Sequence, residues 1–231
     1  MINQARIATT VLRQAILSLG GLLLFLGVAM FLPGGIRWTK GWVFLLVFVL
    51  QMTVASSYLW RTNPEIIIAR SKIHAETKGW DKLALVFVLF SFFAIFPMAG
   101  LDHRYGWSFV PLWIVVAGYW LFTLGMIGSV WAYRVNKFAE PGVRIQAERG
   151  HTVIDSGPYT IVRHPIYVAG FLIVVGIPLA LGSLWALIPV AVATPILIVR
   201  TIFEDRLLQA ELSGYKDYAS RVRYKLVPRV W

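Results

Sequence analysis

The chain contains no cysteine. Disulfides, thiolate catalysis and cysteine-ligated metal centres are therefore excluded, and no metal site is read from the sequence. Charge is also scarce: 14% of the 231 residues are charged, against 58% that are hydrophobic. Acidic residues are the scarcest, 11 against 22 Lys and Arg. The net charge of +11 would suit nucleic acid, but the basic residues are scattered through the loops and form no single stripe. That scatter argues against a nucleic-acid partner and for attraction to anionic lipid headgroups. The apolar residues come in long runs, which is the composition of a polytopic membrane protein.

A spanning helix needs about 20 mostly apolar residues, because roughly 30 Å of hydrocarbon is crossed at about 1.5 Å per residue. Six runs qualify: Ile16–Leu32, Gly41–Trp60, Leu83–Gly100, Phe109–Tyr133, Ile166–Leu181 and Leu184–Phe203. The expected fold is an all-α helical bundle in the membrane. The fifth run is short and only Gly182 and Ser183 part it from the sixth, so these two are expected to form a tight antiparallel hairpin, with a re-entrant hairpin as the fallback. With the N-terminus inside, every Lys and Arg except Arg37, Lys40 and Arg104 falls on the cytoplasmic side. The positive-inside rule then puts both termini in the cytoplasm, as an even number of spans requires. The first run lacks a small-residue cleavage site and reads as a retained span.

One membrane domain over residues 1–231 is expected, with N-terminal spans in 1–132 and the chemistry in 133–231. Tyr133–Arg163 is too polar to cross and carries turn signals at Pro141-Gly142, Arg149-Gly150 and Ser156-Gly157-Pro158. It should be a structured cytoplasmic loop. Pro165 suits the first position of the next helix, since it lacks an N–H that would go unused there. His164 becomes the cap. Beyond the hairpin, Phe203, Leu207, Leu208, Leu212, Tyr215, Ala219 and Val222 share one helix face, which predicts an amphipathic tail helix bent or weakened at Gly214.

Three groups of residues could carry chemistry. His164 and Tyr167, three apart, share a helix face; taken alone, they suit a membrane-interface belt as well as a site. Arg200 and Glu204 lie one turn apart near the end of the last span and could be a surface ion pair. Yet Arg200 lies within an apolar stretch, where a charge is costly and usually functional. Hairpin packing should bring His164, Tyr167, Arg200 and Glu204 together. In the loop, Gln146, His151, Thr152, Asp155, Tyr159 and Thr160 are singly unremarkable, but together they make a plausible lid. Amides, a carboxylate and aromatic rings suit a zwitterionic aromatic cofactor with a cationic centre, without singling one out.

The ordered motifs Asn136-Lys137-Phe138, His151-Thr152-Val153-Ile154, Ser156-Gly157-Pro158-Tyr159, Arg163-His164-Pro165-Ile166-Tyr167 with Gly170, and Arg200 with Glu204-Asp205 and Leu208 carry a resemblance. Over Asn136–Tyr218 the sequence resembles the isoprenylcysteine carboxyl methyltransferases, membrane enzymes that use S-adenosylmethionine and are related to phospholipid N-methyltransferases. The resemblance implies a cofactor site lined by Gln146, His151, Thr152, Val153, Ile154 and Tyr159 from the loop. It adds His164, Pro165, Ile166 and Tyr167 from the hairpin entrance and Glu204 from the last span. Arg200 matches an arginine that contacts substrate, and Arg200, His164 and Tyr167 are the expected catalytic residues. The chain departs from the family in three places: Glu204-Asp205 replaces two glutamates, Gln146 lies closer to His151, and Ser213-Gly214-Tyr215 replaces a Phe-Gly signature.

The implied reaction is methyl transfer to a lipophilic or lipidated acceptor drawn from the membrane. A carboxylate acceptor needs no base and would be held by Arg200; an amine needs one, for which His164 or Glu204 would serve. Phospholipid N-methylation and small-thiol S-methylation share the same pocket. A sterol-type reductase using a reduced nicotinamide also carries an Arg-His-Pro-x-Tyr element, but is expected to be longer. A transporter would need polar residues in mid-span, and the spans hold almost none.

Overall fold

The structure is a computed structural model that describes residues 20–71 and 73–231. The start of the first expected span, with Arg6, Arg13 and Lys72, lies outside the described residues. In hydrocarbon every backbone N–H and C=O must find a partner within the chain, so the apolar runs become helices. They are α1 (described over Gly20–Gly34), α2 (Thr39–Thr62), α3 (Pro64–Ala69), α4 (Gly79–Tyr105), α5 (Leu112–Val135), α6 (Pro165–Leu181), α7 (Leu187–Glu211) and α8 (Tyr215–Arg221). Among the described residues, α2, α4, α5 and α7 are long and apolar enough to cross a membrane, while α1 and α6 are shorter. The protein is an integral-membrane helical bundle. Its lipid-facing surface is apolar, with Leu46, Val86, Phe90 and Trp120 all exposed.

α6 nonetheless runs from one end of the bundle to the other. Its first turn lies beside the end of α7, and its last turn lies beside Lys40 of α2 and Asp102 of α4 at the opposite end. It therefore runs alongside α5 over most of that helix's length.

The expected tight pairing of α6 with α7 is not found. α6 packs along the length of α5, α7 packs on α4, and α6 and α7 meet at few points. Small residues explain the choice, because packing between helices in lipid depends on close backbone approach. A Cβ on Gly118 would come within 2.3 Å of Ala180 N, and one on Gly176 within 2.5 Å of Phe122 N. One on Gly125 would meet the carbonyl oxygen of Ala169 at 2.7 Å. α7 offers α6 no such seam. The turn between them closes on Gly182 (φ +74°), whose N–H bonds Leu179 O while Ser183 N bonds Pro178 O.

The central core joins α1, α2, α4, α5 and α6 through Met30, Phe44, Phe96, Phe122 and Ile177, none of them accessible to solvent. Phe44 is the hub, with ring centroids of Phe122, Phe48 and Phe96 at 5.6, 6.0 and 6.3 Å. At the end away from the loop, buried Asp102 accepts hydrogen bonds from Ser108 N and Oγ at 2.7 Å each and from Ser183 Oγ at 2.5 Å. It ties the end of α4 to the α6–α7 turn. At the other end α7 continues past the expected limit of Phe203, because helical hydrogen bonding does not stop at the hydrocarbon edge. The tail is then not one helix: the chain breaks at Gly214, in a left-handed conformation (φ +80°), and α8 turns beneath the bundle. Tyr215 and Tyr218 of α8 pack with Ala132, Tyr159 and Leu212 in a second core.

The α5–α6 seam is open to test. Gly118→Ala and Gly176→Ala should each lower stability by about 1–3 kcal/mol through overpacking. Gly170→Ala, whose Cβ would meet nothing within 4 Å, should leave the thermal midpoint in detergent unchanged.

Candidate functional site

The site lies where α6 begins and α7 ends. Asp205 is 1% exposed and is the point on which this region converges. Arg163 grips it with both arms, Nε to Oδ1 at 2.8 Å and Nη2 to Oδ2 at 3.1 Å. The Tyr215 hydroxyl donates to Oδ1 at 3.2 Å, Gln209 Nε2 donates to Oδ2 at 2.9 Å, and His164 Nε2 lies 3.3 Å from Oδ1. Arg163 also donates through Nη1 to the carbonyls of Ala219, Val222 and Arg223 at 3.0–3.3 Å. Its backbone N–H and that of His164 bond the carbonyls of Tyr224 and Lys225. One buried ion pair thus fixes the start of α6, the end of α7, α8 and the tail.

Beside this pair, His164 and Tyr167 share a face as their spacing predicts, with ring centroids 5.8 Å apart. The Tyr167 hydroxyl donates to Glu204 across the gap between α6 and α7. Arg200 holds its guanidinium over the Tyr167 ring, 5.3 Å from the centroid. The four residues expected together are together, although the helices that carry them hardly pack.

Arg200 does not form the surface ion pair with Glu204 that their spacing allows. Its salt bridge is to Asp81, in the first turn of α4, with Nε 2.6 Å from Oδ1. Nη2 donates to Pro141 O at 2.6 Å. Asp81 is wholly buried, and its Oδ2 also accepts the Val143 N–H at 2.7 Å. Glu204, one turn along from Arg200, instead faces Tyr167. Nothing in the local sequence near Arg200 points to a partner 119 residues away; the one available signal was an acid at the mouth of an apolar run.

The loop from Asn136 to Arg163 is compact and docked. Arg70 Nη1 bonds Ala139 O at 3.0 Å, Asn63 Nδ2 bonds Tyr133 O at 2.7 Å, and the carboxylate of Glu140 grips Arg144 at 2.8 and 2.9 Å. Within the loop, Asn136 Nδ2 donates to the Tyr159 hydroxyl at 2.7 Å and Tyr218 donates to Tyr159 O at 2.8 Å. Burial pushes the phenols of Tyr159, Tyr215 and Tyr218 up, so all three remain protonated donors at neutral pH.

A cleft of about 50 Å³ opens between loop and α8. His151, Thr152, Val153, Ile154 and Tyr159 line it from the loop, and Arg163, Leu212, Tyr215 and Tyr218 from the other side. Gln146 does not line it: Nε2 donates to Phe138 O at 2.6 Å and Oε1 accepts from Arg149 at 2.6 Å. Both ends of that amide are spent inside the loop. Pro165 is buried and Ile166 packs on the second core, and neither they nor His164, Tyr167 and Glu204 line the cleft. The cleft's amide, phenols, imidazole and backbone groups fit a nucleoside, and the carboxylates close to Tyr159 and Tyr215, those of Glu204 and Asp205, lie outside its lining. Pockets for ligands of that size run to about 300–1,000 Å³, so binding must part the loop from α8.

Residues 113–213 match the family model for phospholipid methyltransferases. That family lies within the membrane methyltransferase superfamily. The matched stretch holds α5, the loop, α6 and α7, and so every sequence-predicted site residue, but not Asp81. The cobalt-zinc-cadmium resistance protein CzcN of Cupriavidus metallidurans is 32% identical over 104 residues, 44% of this chain and 46% of the relative. The nickel-cobalt-cadmium resistance protein NccN of Alcaligenes xylosoxydans xylosoxydans is 30% identical over 110 residues, 47% and 49% of the two chains. The chain spans about half the length of these curated relatives, whose names describe metal resistance and no reaction.

Two outcomes check this geometry. Asp205→Ala strands a buried arginine and should cost about 3–5 kcal/mol, read as a lower denaturation midpoint, whereas Glu204→Gln should leave the midpoint near that of the parent. His151 is the second. Burial lowers its pKa below the ordinary 6.5, so the folded state favours the neutral ring. Its contribution is present above pH 6.5 and is lost as pH falls toward the lowered folded value. The parent should therefore lose more thermal stability than His151→Gln between pH 7 and pH 5.

Proposed function

We propose that the chain is a membrane methyltransferase that transfers the methyl group of S-adenosylmethionine to a lipophilic acceptor. The observation that carries this is the meeting, at one end of an apolar bundle, of the loop cleft with the Tyr167–Glu204 and Arg200–Asp81 pairs. The phospholipid methyltransferase match over that same stretch supports it, and weighs against a reductase or a transporter. The cofactor supplies an already activated methyl group on a sulfonium.

The protein's task is alignment and exclusion of water, worth up to about 7–11 kcal/mol when reactants are held near attack geometry. Asn136, Tyr159 and the His151–Ile154 backbone would hold the nucleoside. Glu204, kept in place by the Tyr167 hydroxyl, would face the cationic end, and the aromatic rings of Tyr159, Tyr167 and Tyr215 would wall it from water. The acceptor would come from the membrane side, where Tyr167 and Arg200 lie.

Two acceptors suit this end of the site. An amine, as in a phospholipid headgroup, forms its new N–CH3 bond as the S–CH3 bond breaks and must shed a proton, which Glu204 is placed to accept. The charges favour it, since Asp81 already neutralises Arg200 and Glu204 leaves the cluster negative. A carboxylate, as in an isoprenylcysteine-type acceptor, needs no base and would use Arg200 Nη1, which has no hydrogen bond among the described residues. We further propose that the site faces the cytoplasm, with both termini on that side, since that end is the one rich in Lys and Arg.

Titration of S-adenosylhomocysteine into the purified full chain should show saturable binding. Loss of one charged hydrogen-bonding partner, as in Glu204→Gln, should weaken it about ten- to a hundredfold. No binding by the parent, or equal binding by Glu204→Gln, would remove the reading. Membranes incubated with methyl-labelled cofactor then separate the acceptors: label in an acid- and base-stable lipid amine, in a base-labile methyl ester, or in a volatile thioether.

A further inference from the structure

One hollow stands apart from the side chains of the proposed methyl-transfer site. It is a groove of about 610 Å³ between α2 and α5, lined almost wholly by apolar side chains such as Val54 and Ile127. On α5, Gly118 and Gly125 face α6, while Ile127 and Arg134 lie about half a turn around the helix from them. α5 therefore stands between this groove and Tyr167, Glu204 and Arg200.

Its length and its two ends define what fits. From Thr123 to Arg134 is eleven residues of helix, roughly 16 Å, which is close to half of a hydrocarbon layer of about 30 Å. The inner end is closed by Gln51, whose Nε2 donates to Thr123 Oγ1 at 2.8 Å across the two helices. The outer end opens at Tyr58, Trp131 and Arg134. Arg61 stands one turn beyond Tyr58 on the same face of α2, in that helix's last turn. Arg134 lies 6.0 Å from the Tyr58 ring, and neither arginine forms an ion pair among the described residues. Glu65, the acid nearest in sequence to Arg61, is paired with Arg149.

From this shape and charge we infer that the α2–α5 groove is a binding site for an anionic phospholipid of the leaflet on the methyl-transfer side. One acyl chain lies along Val54 and Ile127 down to the Gln51–Thr123 bridge, and the phosphate sits at Arg134 and Arg61. A chain one leaflet deep fills the groove, and the two free guanidinium groups meet the headgroup charge. The site is separate from the methyl-transfer site and does not depend on that reading.

The test is a titration of the full chain in detergent with phosphatidylglycerol or phosphatidylcholine, read by native mass spectrometry. Phosphatidylglycerol should be retained in preference. Arg134→Gln should weaken its binding about fivefold, the value of one basic residue at an anionic surface. Val54→Trp, at an exposed position where the indole fills the groove, should abolish the adduct. Ile127→Trp serves the same purpose from α5 should the first variant fail to fold. Equal retention of the two lipids, or adducts unchanged by a filled groove, would overturn the inference. So would a dimer that the filled groove dissociates, since the occupant would then be a second copy of the chain.

Discussion

The site depends on one buried ion pair, Arg163 with Asp205. Two charges taken out of water gain little by their attraction alone; they persist where every remaining donor and lone pair is used. Here they are used almost completely. Asp205 receives Arg163, Tyr215 and Gln209, and Arg163 spends its remaining N–H groups on three carbonyls of α8 and the tail. The pair substitutes for the packing that α6 and α7 lack. Helices that touch at few points are joined by the Gly182 turn at one end and by this pair at the other, where Tyr167 reaches across to Glu204.

A second buried pair does the corresponding work for the N-terminal half. Asp81 holds Arg200 and takes the Val143 N–H, so the first turn of α4, the end of α7 and the loop are locked to one carboxylate. The consequence is chemical as well as structural. An unpaired arginine in an apolar helix would be a strong anion receptor; with Asp81 attached, it is a positioned donor that carries no net charge to the cluster. Asp81, outside the family match, therefore sets the charge around Arg200, which lies inside it.

Much of this was legible in the sequence, for identifiable reasons. Long apolar runs allow few folds once the backbone must satisfy itself, so the helical bundle followed from composition. The i, i+3 spacing of His164 and Tyr167 put them on one face, Pro165 marked the first helical residue, and Gly214 marked the break before α8. The partners of the buried charges were not legible. A sequence shows that Arg163 and Arg200 are costly where they stand, but not which carboxylate meets each, because that choice is made by packing between distant helices. The sequence disfavours a surface ion pair of Arg200 with its neighbour Glu204, because the arginine lies in an apolar stretch, but it names no partner, and in the structure Arg200 pairs with Asp81. The α6–α7 hairpin misled for a similar reason: a short turn suggests packed neighbours, whereas the glycines on α5 and α6 decide which helix α6 can approach.

The same residue that builds the wall also controls access to the cleft. At about 50 Å³ the cleft accommodates only a fragment of a nucleoside-sized ligand, so α8 or the loop has to yield. The loop is tied to α3, α4 and α7 by Arg70, Asp81 and Arg200. α8 is tied by Tyr215 and Tyr218 and by the carbonyls that Arg163 gathers. Those carbonyl contacts, at 3.0–3.3 Å and shared by one nitrogen, are the weaker set. Opening by way of α8 would give up those bonds and the Tyr215 and Tyr218 contacts of the second core, while the Arg163–Asp205 grip could persist. Opening by way of the loop would expose Asp81 and Arg200 together, the costlier path by the desolvated charges involved.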